Sequence, residues 1–162
     1  MPDLVPGGFR SALLMLGSPG MSNTLEELPI YGEVQKFWHA VNEVLQTPAL
    51  RSDGDLCKQI ARANDSIDAN MQEGFEQPTD ASFGNFVFIA KASTAEVISR
   101  MKQARRKQLI SDAQLARIEE LGVTLGKMMG GFIKYLSRSG FTDRGRHGVA
   151  PTSPRPGNLR RR

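Results

Sequence analysis

The sequence predicts an all-α fold, an antiparallel up-down-up-down four-helix bundle. Apolar residues recur at steps of three and four along four long segments, the spacing that brings side chains onto one face of a helix. Short breaks that hold proline, glycine or N-capping residues separate these segments, so each helix is expected to return antiparallel to its neighbour. No segment has the two-residue alternation that is typical of a strand.

The first helix is predicted to begin after Pro29 and to end at Thr47, because a proline follows. The second helix opens near Asp53, whose carboxylate suits the positive end of a helix, and Gly74 and Pro78 close it. The core stripes of these helices are Val34, Phe37, Trp38, Val41 and Leu45 in the first, and Leu56, Ile60, Ala63, Ile67 and Met71 in the second.

The third helix is predicted to take Thr79 or Asp80 as its N-cap and to run to about Gln108. The fourth opens at Ser111, where the glutamine three residues later completes a capping box, and it stops near Gly140. The stripes are Phe83, Phe86, Val87, Ala90, Thr94, Val97, Ile98 and Met101 in the third helix, and Leu115, Ile118, Leu121, Leu125, Met128, Phe132 and Leu136 in the fourth.

The bundle is expected to occupy residues 29–140, between two segments without helical periodicity. Residues 1–28 are predicted to form a flexible arm, and Met21 is an alternative translation start. Residues 141–162 are predicted to be disordered, because arginine, proline and glycine cannot bury a core. The net charge is +4, yet residues 137–162 alone contain seven arginines and one aspartate, a charge of +6. The net positive charge of the chain therefore comes from its C-terminal segment.

The sequence lacks the residues that several classes of function require. Cys57 is the single cysteine, so no intramolecular disulfide forms and a cytoplasmic location is expected. No apolar run approaches the ~20 residues that span a bilayer, so no membrane partner is expected. We find no phosphate-binding loop, no cysteine–histidine cluster and no Ser–His–acid set. The sequence therefore indicates a protein that is not an enzyme and needs no cofactor or metal.

Four polar residues fall where the second and third helices are expected to face each other: Asn70, Glu73, Ser93 and Glu96. Because an unpaired buried polar group costs about 1–3 kcal/mol, we expect these side chains to form a structural hydrogen-bond network. The alternative is that Glu73 and Glu96 act as paired carboxylates or metal ligands. The Glu-x-x-His motif of di-metal bundles is missing from the sequence.

Three glycines recur every four residues in the fourth helix, at Gly122, Gly126 and Gly130. Each interior glycine costs about 0.5–1 kcal/mol of helix stability relative to alanine. Close packing against a second helix offsets such a cost. Two interpretations are open, a contact within the same bundle and an interface between subunits.

Two groups of basic residues are candidate nucleic-acid-binding sites. The basic cluster, at the end of the third helix, consists of Arg100, Lys102, Arg105, Arg106 and Lys107, and the tail contributes Arg144, Arg146, Arg160, Arg161 and Arg162. The cluster also has a structural interpretation, because cations stabilise the C-terminal end of a helix. The tail has no interleaved aromatic residue for base stacking, so sequence-specific reading is not expected.

The middle of the chain resembles the bacterial four-helix-bundle proteins first noticed as products of 23S rRNA intervening sequences. The resemblance covers about residues 28–136, with departures at Asp68, where relatives often have proline, and at Ala92, where they often have glycine. It is carried by Ser66, Ile67, Asn70, Glu73, Gly74, Phe83, Phe86, Ile89, Ala90, Ser93, Ala95 and Glu96.

This resemblance implies a homopentamer, because relatives assemble as rings. It also implies RNA or DNA as a partner, since some relatives are accessory proteins of diversity-generating retroelements that bind a reverse transcriptase and nucleic acid. The expected function is therefore that of a self-assembling bundle that binds RNA or DNA non-specifically, as a reverse transcriptase accessory. The alternative is a protein-interaction scaffold without an intrinsic nucleic-acid role.

Overall fold

The computed structural model describes residues 24–139, and within this range all regular structure is helical. The prediction of an all-α protein is confirmed. The elements are a 3₁₀ turn at Leu25–Glu27 and five helices, α1 Pro29–Leu45, α2 Pro48–Ser52, α3 Gly54–Phe75, α4 Asp80–Arg106 and α5 Asp112–Ser139.

The four long helices form a helical bundle around one core. Helix α4 packs against α3 and α5, and α1 packs against the same two helices. At the centre, Phe37, Phe83 and Phe132 are all fully buried. The rings of Phe83 and Phe132 meet edge to face, with their centroids 5.4 Å apart, a favourable arrangement for aromatic quadrupoles.

The helix starts are fixed by the capping residues that the sequence indicates. The Asp53 carboxylate accepts a hydrogen bond of 3.1 Å from the Leu56 amide at the start of α3, and Thr79 is the N-cap of α4. Before α5, the amide of Ser111 donates to Gln114 Oε1 at 2.8 Å, while Ser111 Oγ accepts from the Gln114 amide at 3.1 Å. This reciprocal pair is the predicted capping box.

Helix α4 ends in a Schellman motif built on a non-glycine residue. Gln108 has a φ of 59°, the left-handed region that favours glycine. Its amide donates to the Arg105 carbonyl at 2.9 Å, and the amide of Leu109 donates to the Ala104 carbonyl at 3.0 Å. The chain then turns back into α5.

Three details differ from the sequence-based expectations. Pro48 begins the short helix α2, because proline is tolerated in a first helical turn, and Leu50 of this helix is fully buried. Leu25 and Leu28 are also buried, so the packed body begins before residue 29. Trp38 lies half-buried at the edge of the core. Residues 1–23 and 140–162, which include the alternative start and the tail arginines, lie outside the described residues.

Candidate nucleic-acid interface

The five residues of the basic cluster lie on the last two turns of α4 and at its C-cap, Lys107. Lys102, Arg106 and Lys107 are exposed, and Arg100 and Arg105 are partly exposed. All five charges therefore reach solvent at one end of the bundle. Cations at this position also face the negative end of the helix dipole, so their placement satisfies both interpretations of the cluster.

Two of these cations are bound by carboxylates from the starts of neighbouring helices. Arg105 donates two hydrogen bonds to Asp112, from Nε to Oδ1 at 2.6 Å and from Nη2 to Oδ2 at 3.0 Å. Lys107 Nζ lies 2.6 Å from Oδ2 of Asp53, the N-cap of α3. These contacts join the end of α4 to the first turns of α3 and α5.

Two further cations are paired more loosely, and one has no acidic partner. Lys102 Nζ lies 3.0 Å from Glu119 Oε1, and Arg100 Nη2 lies 3.6 Å from Glu96 Oε1. Among residues 24–139, Arg106 is the member of the cluster without an ion pair or a side-chain hydrogen bond. The acids around the cluster therefore offset most of its charge.

The carboxylates nearest the cluster remain ionised at neutral pH. Hydrogen bonding and attraction from the Arg105 guanidinium lower the pKa of Asp112. The hydrogen bond from Lys107, followed by that from the Leu56 amide, lowers the pKa of Asp53. Both side chains are therefore negatively charged under the conditions in which a nucleic acid would bind.

The described chain ends far from the basic cluster. The hydroxyl of Ser139, the last residue of α5, donates to the carboxylate of Asp80, the first residue of α4. Helix α4 has 27 residues, which corresponds to a length of about 40 Å. The basic cluster and Ser139, the last described residue, therefore lie at opposite ends of the bundle. The five tail arginines themselves lie outside the described residues.

Two of the four predicted network residues are brought together through Ser66. Asn70 Nδ2 donates to the Ser66 carbonyl at 2.7 Å and to its hydroxyl at 3.1 Å, and that hydroxyl lies 3.0 Å from the hydroxyl of Ser93. Glu96 instead pairs with Arg100, and Glu73 lies exposed in a surface cleft next to Tyr31. The structure therefore links α3 and α4 through short polar side chains.

A second polar group, centred on Asp68, joins α1 to α3. Asp68 Oδ1 accepts hydrogen bonds from Tyr31 Oη at 2.7 Å and from Gln35 Nε2 at 2.8 Å, and Oδ2 accepts from Gln72 at 2.7 Å. Burial, together with the Asp68 charge, raises the pKa of Tyr31 to about 12. From the sequence, Asp68 was noted only because it stands where the resembling family often has proline. Its place directly after Ile67, a residue of the core stripe, was a signal that its side chain lies near the packed side of α3.

Sequence reasoning also missed Asn64, which is fully buried between α1 and α3. Its Nδ2 donates to the Trp38 carbonyl at 3.1 Å, and its Oδ1 has no hydrogen-bond partner among residues 24–139. The Trp38 indole donates to Asp65 at 3.2 Å, on the next residue of α3. These contacts hold the middle of α1 in register with α3.

The three glycines of α5 lie in different surroundings. A Cβ on Gly122 would stand 2.6 Å from Ile98 Cδ1 and 2.9 Å from Phe37 Cε2, so this glycine admits close packing within the bundle. A Cβ on Gly130 would meet only the tip of Lys91, at 3.4 Å, and one on Gly126 would meet nothing within 4 Å. Gly122 thus serves the bundle itself, whereas Gly126 leaves an opening on its surface.

The outward side of α4 has exposed apolar side chains, interspersed with the charged Lys91 and Glu96. Phe88 is 64% exposed and Ile89 is 45% exposed, and Val123 on α5 is 51% exposed. We call the exposed, uncharged residues on this side of α4 the outer face, and they are Ala81, Asn85, Phe88, Ile89, Ala92, Ala95 and Ser99. Large aromatic side chains that remain in water on a small-residue helix surface are typical of contact sites for other proteins.

Two other kinds of site are absent from residues 24–139. No group of three or more His, Cys, Asp or Glu side chains there is arranged to hold a metal ion. None of the helices in this range has an apolar stretch of the length needed to cross a membrane.

Comparison with known proteins places the chain in a family. No curated protein and no solved structure matches it. The family model of the 23S rRNA-intervening sequence proteins matches residues 26–131, more than half of the chain and nearly all of the packed body. The chain therefore belongs to the 23S rRNA-intervening sequence protein family.

Proposed function

We propose that this chain is a non-enzymatic, self-assembling protein of the cytoplasm that binds RNA or DNA without sequence preference. The observation that carries this proposal is the basic cluster, in which five cations reach solvent within two turns of the end of α4. We also propose that the four long helices run up, down, up and down, which agrees with the packing of α1 against both α3 and α5.

Nucleic-acid binding by this cluster would act through phosphates. Lysine and arginine neutralise the backbone charge and release counterions, a contribution that does not depend on base sequence. The cluster contains no aromatic side chain that would stack on a base. Several copies of the cluster on one assembly would raise the local positive potential above that of a single chain. The tail, with Arg144, Arg146 and Arg160 to Arg162, would add a second and separate contact.

Arg106 gives the sharpest test of this proposal. Its guanidinium is exposed and has no acidic partner in the described part of the chain, so Arg106→Ala removes a phosphate contact without breaking an ion pair. We expect weaker binding to an RNA or DNA duplex and a smaller salt dependence, with the log–log slope reduced by about 0.7–0.9. Lys134→Ala, an exposed cation in the last turns of α5, is the matched control. Equal effects of the two changes would contradict a role for the cluster.

Self-assembly is supported by the outer face of α4. A helix surface with Phe88 and Ile89 exposed among alanines lets a second helix approach closely and buries apolar area when it does. By family resemblance we propose a homopentamer. The same face favours the second candidate function, a scaffold that binds a reverse transcriptase or another protein.

The assembly is tested by light scattering of the full chain. Phe88→Asp places a charge on the outer face and should lower the mass of the oligomer, whereas Asn85→Asp, one turn away and also exposed, should lower it less. A wild-type monomer at tens of micromolar would contradict self-assembly. Assembly without any binding of nucleic acid would favour the scaffold.

A further inference from the structure

We propose that the acidic partners of the basic cluster are intramolecular competitors of phosphate, so that the cluster is occupied only by a ligand that presents several phosphates at once. This inference rests on the proposed function, because it concerns the regulation of the same site. The competing residues that other helices contribute are Asp53, Asp112 and Glu119, which approach the end of α4 from α3 and from α5. Glu96, which pairs with Arg100 within α4 at 3.6 Å, is left unchanged in the test.

The ion pairs use the same donor groups that would bind a phosphate. Arg105 offers Nε and Nη2 as a fork to both oxygens of Asp112, at 2.6 Å and 3.0 Å. A guanidinium fork matches carboxylate and phosphate oxygens equally well. Lys107 Nζ, at 2.6 Å from Oδ2 of Asp53, likewise has a carboxylate partner. A phosphate therefore has to compete with a carboxylate at each of these cations, and at Arg105 it competes for the Nε/Nη2 fork itself.

The displacement is feasible at every pair, since the partners lie at the surface. In the Lys102–Glu119 pair the two side chains are 50% and 38% exposed, and the Asp112 carboxylate is 85% exposed. Exposed ion pairs contribute little free energy, which corresponds to at most about a five-fold effect on an equilibrium for each pair. One competitor weakens binding slightly, and three acting on one ligand multiply their effects.

Arg106 would supply the first contact. It is exposed and, within residues 24–139, has no acid to displace, so a single phosphate can bind there without competition. Occupation of Lys102, Arg105 and Lys107 then requires neighbouring phosphates held on the same backbone. The class of ligand that fits is thus a polyphosphate strand with closely spaced charges, a nucleic-acid duplex above all. A free mononucleotide, whose phosphate avoids a competitor only at Arg106 in the described part of the chain, is bound much more weakly.

The test compares two triple variants of the full chain that change its net charge equally. Asp53→Asn/Asp112→Asn/Glu119→Gln removes the three competitors, and asparagine retains the ability to cap α3 at position 53. Glu26→Gln/Glu33→Gln/Glu73→Gln is the control. Its three residues lie on the 3₁₀ turn, in the first turns of α1 and in the last turn of α3.

Affinity for a labelled RNA duplex and a DNA duplex is measured by fluorescence anisotropy, with helicity and melting temperature recorded for each variant. We expect the cluster triple to bind at least about ten-fold more tightly than wild type, following from two- to five-fold per pair, and to bind a mononucleotide measurably. The control triple should gain much less. If the cluster triple fails to fold, Asp112→Asn alone should still gain about two- to five-fold.

The possible results separate this inference from the proposed function. Wild-type binding with equal gains in both triples, or with no gain in the cluster triple, overturns the competition alone. Binding by the cluster triple without binding by wild type supports the competition and overturns the proposed function of the unmodified chain. Absence of binding by all variants at micromolar concentration overturns both.

Discussion

Asp68 shows how one residue sets the geometry of a helix pair. Its two oxygens accept hydrogen bonds from three side chains, of which Tyr31 and Gln35 belong to α1. A proline in this place would supply no acceptor side chain and would remove a backbone donor. In this chain Asp68 therefore supplies a polar contact between α1 and α3, beside that of Asn64.

The titration of Tyr31 tests this arrangement. Its pKa in the folded protein is about 12, against an ordinary value of 10.0. The stabilisation is fully present below pH 10 and is lost as the pH rises towards 12, because the unfolded chain releases this proton first. The full loss is on the order of 2 kcal/mol. Denaturant unfolding at pH 9 and pH 11.5 should show a steeper loss in wild type than in Tyr31→Phe.

The absorbance of ionised tyrosine gives an independent reading of the same pKa. The chain contains two tyrosines, so Tyr31→Phe leaves Tyr135 alone. The difference between the wild-type and variant titration curves should have its midpoint well above pH 10. A midpoint at the ordinary value would show that Tyr31 is solvated and that its bond to Asp68 does not form.

At the scale of elements, the sequence predicts helix starts better than it predicts which faces are covered. Caps depend on one side chain and the amide three residues later, so Asp53, Thr79 and Ser111 were identified from local chemistry. The end of α1 before Pro48 was predicted, but the short helix α2 was not, because proline both ends one helix and begins another. Phe88 and Ile89 lie outside the core stripe that the sequence predicts for this helix, but the sequence does not tell whether another helix covers them, and only the packing of α3 and α5 shows that they are exposed.

The end of α4 provides a stability prediction. Gln108 adopts a left-handed conformation, with a φ of 59°, that costs a side-chain-bearing residue about 1 kcal/mol. Gln108→Gly should raise the melting temperature by a few degrees, because the relief of this strain exceeds the extra entropy of glycine in the unfolded chain. Gln108→Ala is the control and should leave the melting temperature nearly unchanged. A lower melting temperature for the glycine variant would contradict the strain.

Substitutions at two glycines of α5, Gly122 and Gly126, are expected to differ in their effect on stability. Gly122→Ala should destabilise the bundle, because its Cβ would stand 2.6 Å from Ile98 and 2.9 Å from Phe37, and overpacking costs about 1–3 kcal/mol. Gly126→Leu meets open space and should leave the melting temperature within a few degrees of wild type. If the opening at Gly126 lies in the subunit interface, the leucine should lower the oligomer mass measured by light scattering. Equal stability losses in the two variants would contradict the assignment of Gly122 to the interior.

At the scale of the whole molecule, the sequence identified the basic cluster but not the acids that surround it. The bond from Lys107 to Asp53 joins residues that are 54 positions apart in the sequence. These residues meet only because α4 returns beside α3. The same holds for the tail. Residues 137–162 carry a net charge of +6, yet only the contact between Ser139 and Asp80 shows that the described part of the chain stops at the end of the bundle opposite the cluster.

We expect the basic cluster and the tail to contribute independently to binding, because the last described residue, Ser139, lies at the end of the bundle opposite the cluster. Deletion of residues 145–162 removes five of the arginines of the tail segment and leaves the packed body untouched. The deletion should weaken binding and flatten its salt dependence, while helicity and melting temperature stay the same. A combined deletion and Arg106→Ala variant should show the sum of the two losses in free energy, as expected for sites that share no contacts.

The most direct test of the account is an anisotropy titration of the full chain with RNA and DNA duplexes at about 50 to 150 mM salt. Contacts to phosphates release counterions, so the logarithm of the affinity should fall linearly with the logarithm of the salt concentration, by about 0.7–0.9 per contact. The account predicts binding at micromolar protein or below, a slope that corresponds to several contacts, and similar affinities for unrelated sequences. No binding to either duplex at micromolar protein would contradict the central claim and leave the protein-interaction scaffold as the better description.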